Sequence, residues 1–283
     1  MKKFLLVIIA LTLQAICSDI HICYVSDENY AMPTKISLKS LLQNSNPGDN
    51  LNIHIVDFGI TTESKIHFEN LKIIKDFNLD FVNFDITKFA ELKEYDWPLQ
   101  IYCKFFFQDI FPGLNKLIFL DGDTIVDRSF KELWKLDLKD NYWAGTDHHG
   151  YFSFPHSPEN CVAVMLLNLA KFREDNLAKK LIDNTIKCQK YCKKYTEENA
   201  LQNVCKGKIL TIPFKYNIHI FNIPTVPVSR VELPQSTLNL FSEMKNAVVW
   251  HYSGKMKPWN TAKEDFSKRY PAFLFYKWWD YAK

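Results

Sequence analysis

Short apolar runs alternate with amphipathic segments along most of the chain. Ile20-His21-Ile22-Cys23-Tyr24-Val25 reads as a strand. Beyond Ser26-Asp27-Glu28-Asn29-Tyr30, Ile36, Leu38, Leu41 and Leu42 mark the apolar face of a helix, with Pro33 near its start. The pattern repeats: a strand over Leu51 to Phe58, a helix through Ile66, Leu71, Ile73 and Ile74, and a strand over Leu79 to Phe84. Trp97-Pro98 opens a further helix carrying Ile101, Tyr102, Phe105, Phe106 and Ile110, which Pro112-Gly113 ends. Such alternation predicts an α/β fold, with a mixed, mostly parallel sheet covered by helices on both faces.

The most informative stretch is Lys116 to Asp127, KLIFLDGDTIVD. Four consecutive apolar residues suit a strand buried on both faces, and the run stops at Asp121-Gly122-Asp123. Ligands of open α/β sheets bind at the carboxyl ends of strands. Two carboxylates held this close repel one another unless a cation lies between them, so the triplet taken alone reads as a divalent-metal site or as a solvated turn, and the rest of the chain decides between them. Gly122 is expected to allow close approach of backbone or ligand.

The second half keeps the alternation. Phe130, Leu133, Trp134 and Leu136 suggest a short helix, Tyr142 to Asp147 a strand ending on an acid, and His148 to Glu159 a loop. Val162 to Leu169 predicts a buried strand and Lys171 to Tyr195 one long helix with a solvated lysine face. Ile209 to Val231 has no clear period, so only short strands and loops are expected there. Ala247 to Trp250 predicts a final strand, delivering His251-Tyr252-Ser253-Gly254-Lys255-Met256-Lys257-Pro258-Trp259; the aromatic tail from Phe266 to Tyr281 reads as helical.

Composition narrows the functional classes. The 283 residues are 47% apolar, enough for a sizeable core, and a formal charge of +3 gives no footprint for nucleic acid. Residues 1 to 17, with a basic start, an apolar run and Ala15-Ile16-Cys17, read as a cleaved secretory signal. The run is shorter than a membrane span requires, and residues 18–283 are expected to form one soluble domain. Six cysteines then remain, an even number that suits an oxidising lumen. Zinc is the rival use of Cys188 and Cys192, but no second close Cys/His pair supplies the other ligands.

The His251 to Trp259 segment offers what Asp121 and Asp123 lack. His251 can complete a Mn²⁺ or Mg²⁺ shell, Gly254 lets a backbone approach closely, and Lys257 meets phosphate charge. Together they suit a cation that neutralises a departing diphosphate.

The DGD-TIV stretch with its leucine-tryptophan helix, the strand leading to Asp27-Glu28-Asn29-Tyr30, and the HYSGKMKPW segment resemble the family 8 retaining glycosyltransferases. The resemblance covers nearly the whole chain after residue 17. It implies a GT-A fold, a UDP-sugar donor, manganese (magnesium as substitute) and a carbohydrate-bearing acceptor. In that reading Asp121, Asp123 and His251 are metal ligands. Val25, Asp27 and Asn29 match positions that hold uridine, and Gly254 and Lys257 those that hold the diphosphate. Asp147 matches an acid facing donor sugar and acceptor, and Lys104 stands where relatives often carry arginine.

Two departures accompany the match. Asn160-Cys161-Val162-Ala163 fits the family's Asn-Ala/Ser-Gly only with a one-residue shift or with cysteine for asparagine, and Glu197-Glu198-Asn199 stands where the family has Asp-Gln-Asp. Glu198 thus occupies the position debated as a nucleophile. A front-face route is expected, because the metal-diphosphate machinery is present while the nucleophile position varies. A second reading stays open: an inactive, secreted nucleotide- or sugar-binding protein of the same fold. A signal peptide on a nucleotide-sugar enzyme points to an ER or Golgi-like lumen, and the C-terminal aromatic helix is a candidate peripheral membrane contact.

Overall fold

Strand β1 (Ser18–Ser26) alternates its side chains between two cores, Ile20, Ile22 and Tyr24 joining one and Cys23 the other. This alternation marks a sheet buried on both faces. The computed structural model describes residues 18–95, 97–147, 160–223 and 242–283. The expected leader at 1–17 and the loop expected at 148–159 lie outside these residues.

β1 pairs in parallel with β2 (Asp49–Asp57), which pairs in parallel with β3 (Asn78–Asn83). On its other side β1 meets β4 (Lys116–Leu120), again in parallel. The chain order therefore reverses between β1 and β4, the place where a doubly wound sheet opens a ligand crevice. β6 (Trp143–Thr146), β7 (Val164–Asn168) and β8 (Ile209–Ile212) complete seven strands in the order β3-β2-β1-β4-β7-β6-β8. Only β7 runs against its neighbours. Helices α1 (Glu28–Asn44) and α2 (Thr62–Glu69) cover one face. The other is covered by the 3₁₀ segment Leu99–Phe106 with α5 (Leu169–Glu174) and α6 (Leu177–Gln189). Between these, α3 (Phe107–Ile110) and α4 (Lys131–Lys135) are short, and α7 (Glu197–Val204) follows α6.

A second sheet of three strands stands beside the first: β5 (Thr124–Val126), β10 (Val249–His251) and β9 (Ile218–His219). Its core takes in Ile125, Trp250 and Tyr252 with Phe266 of α8 (Lys263–Arg269) and Leu274 and Trp278 of α9 (Ala272–Ala282). Asp127 ties that core together, accepting from Trp250 Nε1 at 2.6 Å and from Lys277 Nζ at 2.6 and 2.8 Å.

Several expectations are corrected. The long helix expected over 171–195 is two, because Asn176 adopts a left-handed conformation (φ 47°) between α5 and α6. The 99–110 helix is mostly 3₁₀. The helix expected through Ile74 ends as α-helix at Glu69 and tightens into a 3₁₀ turn, leaving Ile66 and Ile73 exposed while Leu71 is buried. Helix α1 starts at Glu28, capped by Asp27, so Pro33 falls in its second turn. The tail is two helices, broken before Pro271. The six cysteines from Cys23 onward are free thiols, so their even number does not record disulfide pairing.

Candidate active site

The DGD triplet is not part of a strand. It is the crossing by which the chain leaves the seven-stranded sheet at Leu120 and enters the three-stranded one at Thr124. Both ends of the crossing are pinned: Asp121 N donates to Ala163 O and Tyr252 N donates to Asp123 O, each at 2.9 Å. Underneath runs a polar stripe on α1. Thr34, Ser37 and Ser40 recur every three residues and are fully buried. Ser37 Oγ lies 2.7 Å from Thr124 Oγ1, Thr124 Oγ1 donates to Asp121 O at 2.9 Å, and Ser40 Oγ accepts from Val126 N at 2.8 Å. Ser40 thus satisfies a backbone N–H of the short β5, and Ser37 a buried side-chain hydroxyl on it. Gly122 serves this packing, because a Cβ there would fall on Thr34 Oγ1. The close approach expected of it is made by a helix side chain.

Register brings in residues distant in sequence. β10 pairs antiparallel with β5, setting His251 opposite Thr124, and parallel with β9, setting His219 beside His251. His251 Nε2 consequently lies 3.3 Å from Asp123 Oδ1, while Lys257 Nζ holds Asp123 Oδ2 and the Tyr252 carbonyl. Asp121, Asp123 and His251 each offer one ligand atom, all within 4.8 Å of one another. Opposite ligands of an octahedral Mg²⁺ stand about 4.2 Å apart, so small side-chain movements close this set on a cation. Two oxygens and one imidazole suit Mn²⁺ or Mg²⁺.

The electrostatics point the same way. Burial, reinforced by the neighbouring Asp123 charge, raises the Asp121 carboxyl against the pull of Lys104. For Asp123 burial also opposes ionisation, but Lys257 and His251 outweigh it and hold the carboxyl well below the usual range. Burial disfavours the His251 imidazolium, and the Asp123 charge overcomes it, raising the imidazole. One carboxyl of a close pair resists its charge; a cation between the two removes that resistance.

A cavity of about 570 Å³ opens over these groups, a size suited to a small-molecule ligand. Val25, Asp27, Lys104, Glu197, Glu198, Gly254 and Lys257 line it with the triplet. Asp27 N-caps α1, accepting from Tyr30 N at 2.9 Å. Gly254 has φ +92°, a conformation that favours glycine. Lys104 is buried, with its ammonium 3.2 Å from Glu197 Oε1, 3.8 Å from Asp121 Oδ1 and over the Phe119 ring at 4.7 Å.

Two expected residues stand apart. Asn29 is exposed on the first turn of α1 and does not line the cavity. Asp147 bridges to Asn160 at the end of β6, also outside the lining. Asn160 and Cys161 part company: the Asn160 amide turns to Gln202 (3.0 Å) and Thr211 (3.3 Å), and Cys161 lines the cavity. Sequence reading missed His219, a buried wall residue inside a stretch with no readable period. Its one signal is an Ile-His pair following a short apolar run.

Comparison with known proteins agrees with this fold. A family model described as Glycosyl transferase family 8 matches residues 21–263. A "putative glycosyltransferase" of Haemophilus influenzae is 26% identical over 261 residues, covering 85% of this chain and 73% of the relative. The lipopolysaccharide 1,2-glucosyltransferase of Escherichia coli is 25% identical over 254 residues, covering 83% and 71%. Among solved structures, the galactosyltransferase LgtC in complex with donor and acceptor sugar analogs superposes with a TM-score of 0.70 at 22% identity, covering 92% of this chain and 95% of that one.

Proposed function

This chain belongs to glycosyl transferase family 8 and is a glycosyltransferase with the GT-A fold; on that premise we propose that it moves a hexose or pentose from a UDP-sugar to a carbohydrate-bearing acceptor with retention of configuration. The supporting observation is the convergence of Asp121, Asp123, His251 and Lys257 from two sheets on one cavity that Val25 and Asp27 also line.

In this reading Asp121, Asp123 and His251 hold Mn²⁺ or Mg²⁺, which supplies Lewis acidity at the diphosphate. Val25 and Asp27 receive the uridine; Asn29, outside the lining, keeps that assignment from the family match alone. Gly254 lets its backbone approach the diphosphate, and Lys257 adds a positive charge there. Lys104 bridges the triplet to Glu197, both in the cavity lining. Asp147, outside the cavity lining, keeps its assignment to the donor sugar and acceptor from the family match alone. Transfer goes by the front face, with the leaving phosphate taking the acceptor proton and Glu198 lining the sugar without bonding to it.

The acceptor enters over Trp97. A smaller cavity of about 170 Å³ adjoins the first and shares Trp97, Ile101 and Thr196 with it. Aromatic faces there, Tyr95 among them, suit the apolar side of a sugar ring.

Residues 1–17 support delivery to a secretory lumen where UDP-sugars are present. Fractionating cells that express the full chain or one lacking 1–17 tests this, and identical distributions would reject it. The activity is tested by screening UDP-glucose, UDP-galactose, UDP-xylose and UDP-galacturonate with Mn²⁺. One donor should turn over well above the others; no turnover of any would reject the proposed reaction.

A further inference from the structure

Behind the expected metal ligands lies a second constellation. Cys161, His219 and His251 each offer one ligand atom, all within 4.8 Å of one another, and all three side chains are buried. They reach this point by separate routes. The parallel pairing of β9 and β10 sets the two imidazoles side by side, with ring centroids 4.6 Å apart. Cys161 is anchored from the other sheet, its backbone N donating to Thr146 O at 2.8 Å, three residues before the start of β7. His219 Nδ1 lies 3.1 Å from Ser253 Oγ and Nε2 3.3 Å from the Asn217 amide; a metal takes the place of one of these partners, and the other keeps the ring oriented.

The chemistry of this trio differs from that of the carboxylate pair. A thiolate and two imidazoles form a borderline-soft donor set that suits Zn²⁺ and poorly suits Mg²⁺ or Mn²⁺. Cys188 and Cys192 supply nothing here; these ligands come from residues 161, 219 and 251 and meet only in the folded chain.

We propose that Cys161, His219 and His251 form a zinc site that shares His251 with the Asp121/Asp123 cation site, so the two cannot be filled independently. For a given donor set divalent affinity rises from Mn²⁺ to Zn²⁺, so zinc takes the shared imidazole. On the glycosyltransferase reading, zinc then inhibits transfer, and a chelator followed by Mn²⁺ restores it. Zinc binding itself stands without that reading and is measured without donor or acceptor.

The test loads the purified full chain with Co²⁺ as a spectroscopic stand-in, then titrates Zn²⁺ by calorimetry. The expected result is one tight site per chain, with a thiolate-to-Co²⁺ charge-transfer band. Cys161→Ser should abolish the band and weaken zinc more than about 100-fold, beyond the 10–100-fold that outer partners carry. His219→Gln should weaken zinc similarly, and Cys192→Ser should change neither readout. Asp121→Asn separates the two sites: zinc and the band should persist while Mn²⁺ affinity falls. Thermal melts confirm that each variant is folded; where Cys161→Ser melts early, His219→Gln and the cobalt spectrum of the unmodified chain decide. Absence of tight zinc, absence of the band, or loss of zinc in Asp121→Asn would overturn the proposal. If zinc binds but inhibition is absent, the site stands and its link to transfer fails.

Discussion

Ser37→Ala removes the hydroxyl at the centre of the stripe beneath the DGD crossing. In the intact chain Ser37 Oγ lies 2.7 Å from Thr124 Oγ1 and 3.2 Å from Tyr24 Oη, and all three residues are fully buried. Thr124 keeps its bond to Asp121 O after the substitution, so its loss is one good hydrogen bond, about 1 kcal/mol. The fully buried Tyr24 hydroxyl loses its only side-chain partner among the described residues; an orphaned buried hydroxyl costs about 1–2 kcal/mol. The sum is about 2–3 kcal/mol, and at about 2–4 °C per kcal/mol for a chain approaching this size the melting temperature should fall by roughly 4–12 °C. Urea unfolding followed by tryptophan fluorescence measures the loss. Tyr24→Phe added to Ser37→Ala removes the orphan, so the double variant should be about 1 kcal/mol more stable than the sum of the single losses predicts. A Ser37→Ala loss below about 0.5 kcal/mol, or strict additivity, would refute the role given to the stripe.

Three further outcomes are expected. Lys104→Met leaves the Glu197 carboxylate buried without its cation and should cost about 3–5 kcal/mol in chemical unfolding; Lys104→Met with Glu197→Gln should recover much of it, and equal losses in both would reject the ion-pair account. Glu198→Gln should keep turnover within about 10-fold of wild type if transfer uses the front face, whereas a loss beyond about 10⁴-fold with a trapped glycosyl adduct on the wild-type chain would establish double displacement. Phe273, Tyr276 and Trp279 are exposed on α9, so if that helix rests on a membrane, Phe273→Ser/Tyr276→Ser should reduce co-flotation with anionic liposomes; unchanged flotation would assign α9 to packing alone.

The strands nearest the site were legible because their signals are local. β1 and β4 are apolar runs bounded by polar residues, and the acids fall where those runs stop. What escaped reading depends on contacts between distant segments. Thr34, Ser37 and Ser40 look like a solvated face until β5 is placed over them. His219 is one histidine in an aperiodic stretch, and only the β9–β10 register makes it a neighbour of His251. The break between α5 and α6 hangs on Asn176 in a left-handed conformation, which its lysine-rich flanks conceal. The segment Asn160 to Ala163 fits the family pattern by a one-residue shift or by cysteine for asparagine; placing Cys161 needs β7 antiparallel to β4, which hydrophobicity alone does not distinguish from a parallel pairing.

The central claim is a metal-assisted nucleotide-sugar site on Asp121, Asp123 and His251. It is tested most directly by calorimetric titration of UDP into the full chain with and without Mn²⁺, repeated with folded Asp123→Asn. The account predicts that Mn²⁺ tightens UDP at least about 10-fold, worth about 1.4 kcal/mol, and that Asp123→Asn removes the gain. UDP binding that is indifferent to Mn²⁺, or a gain that survives in Asp123→Asn, would contradict it.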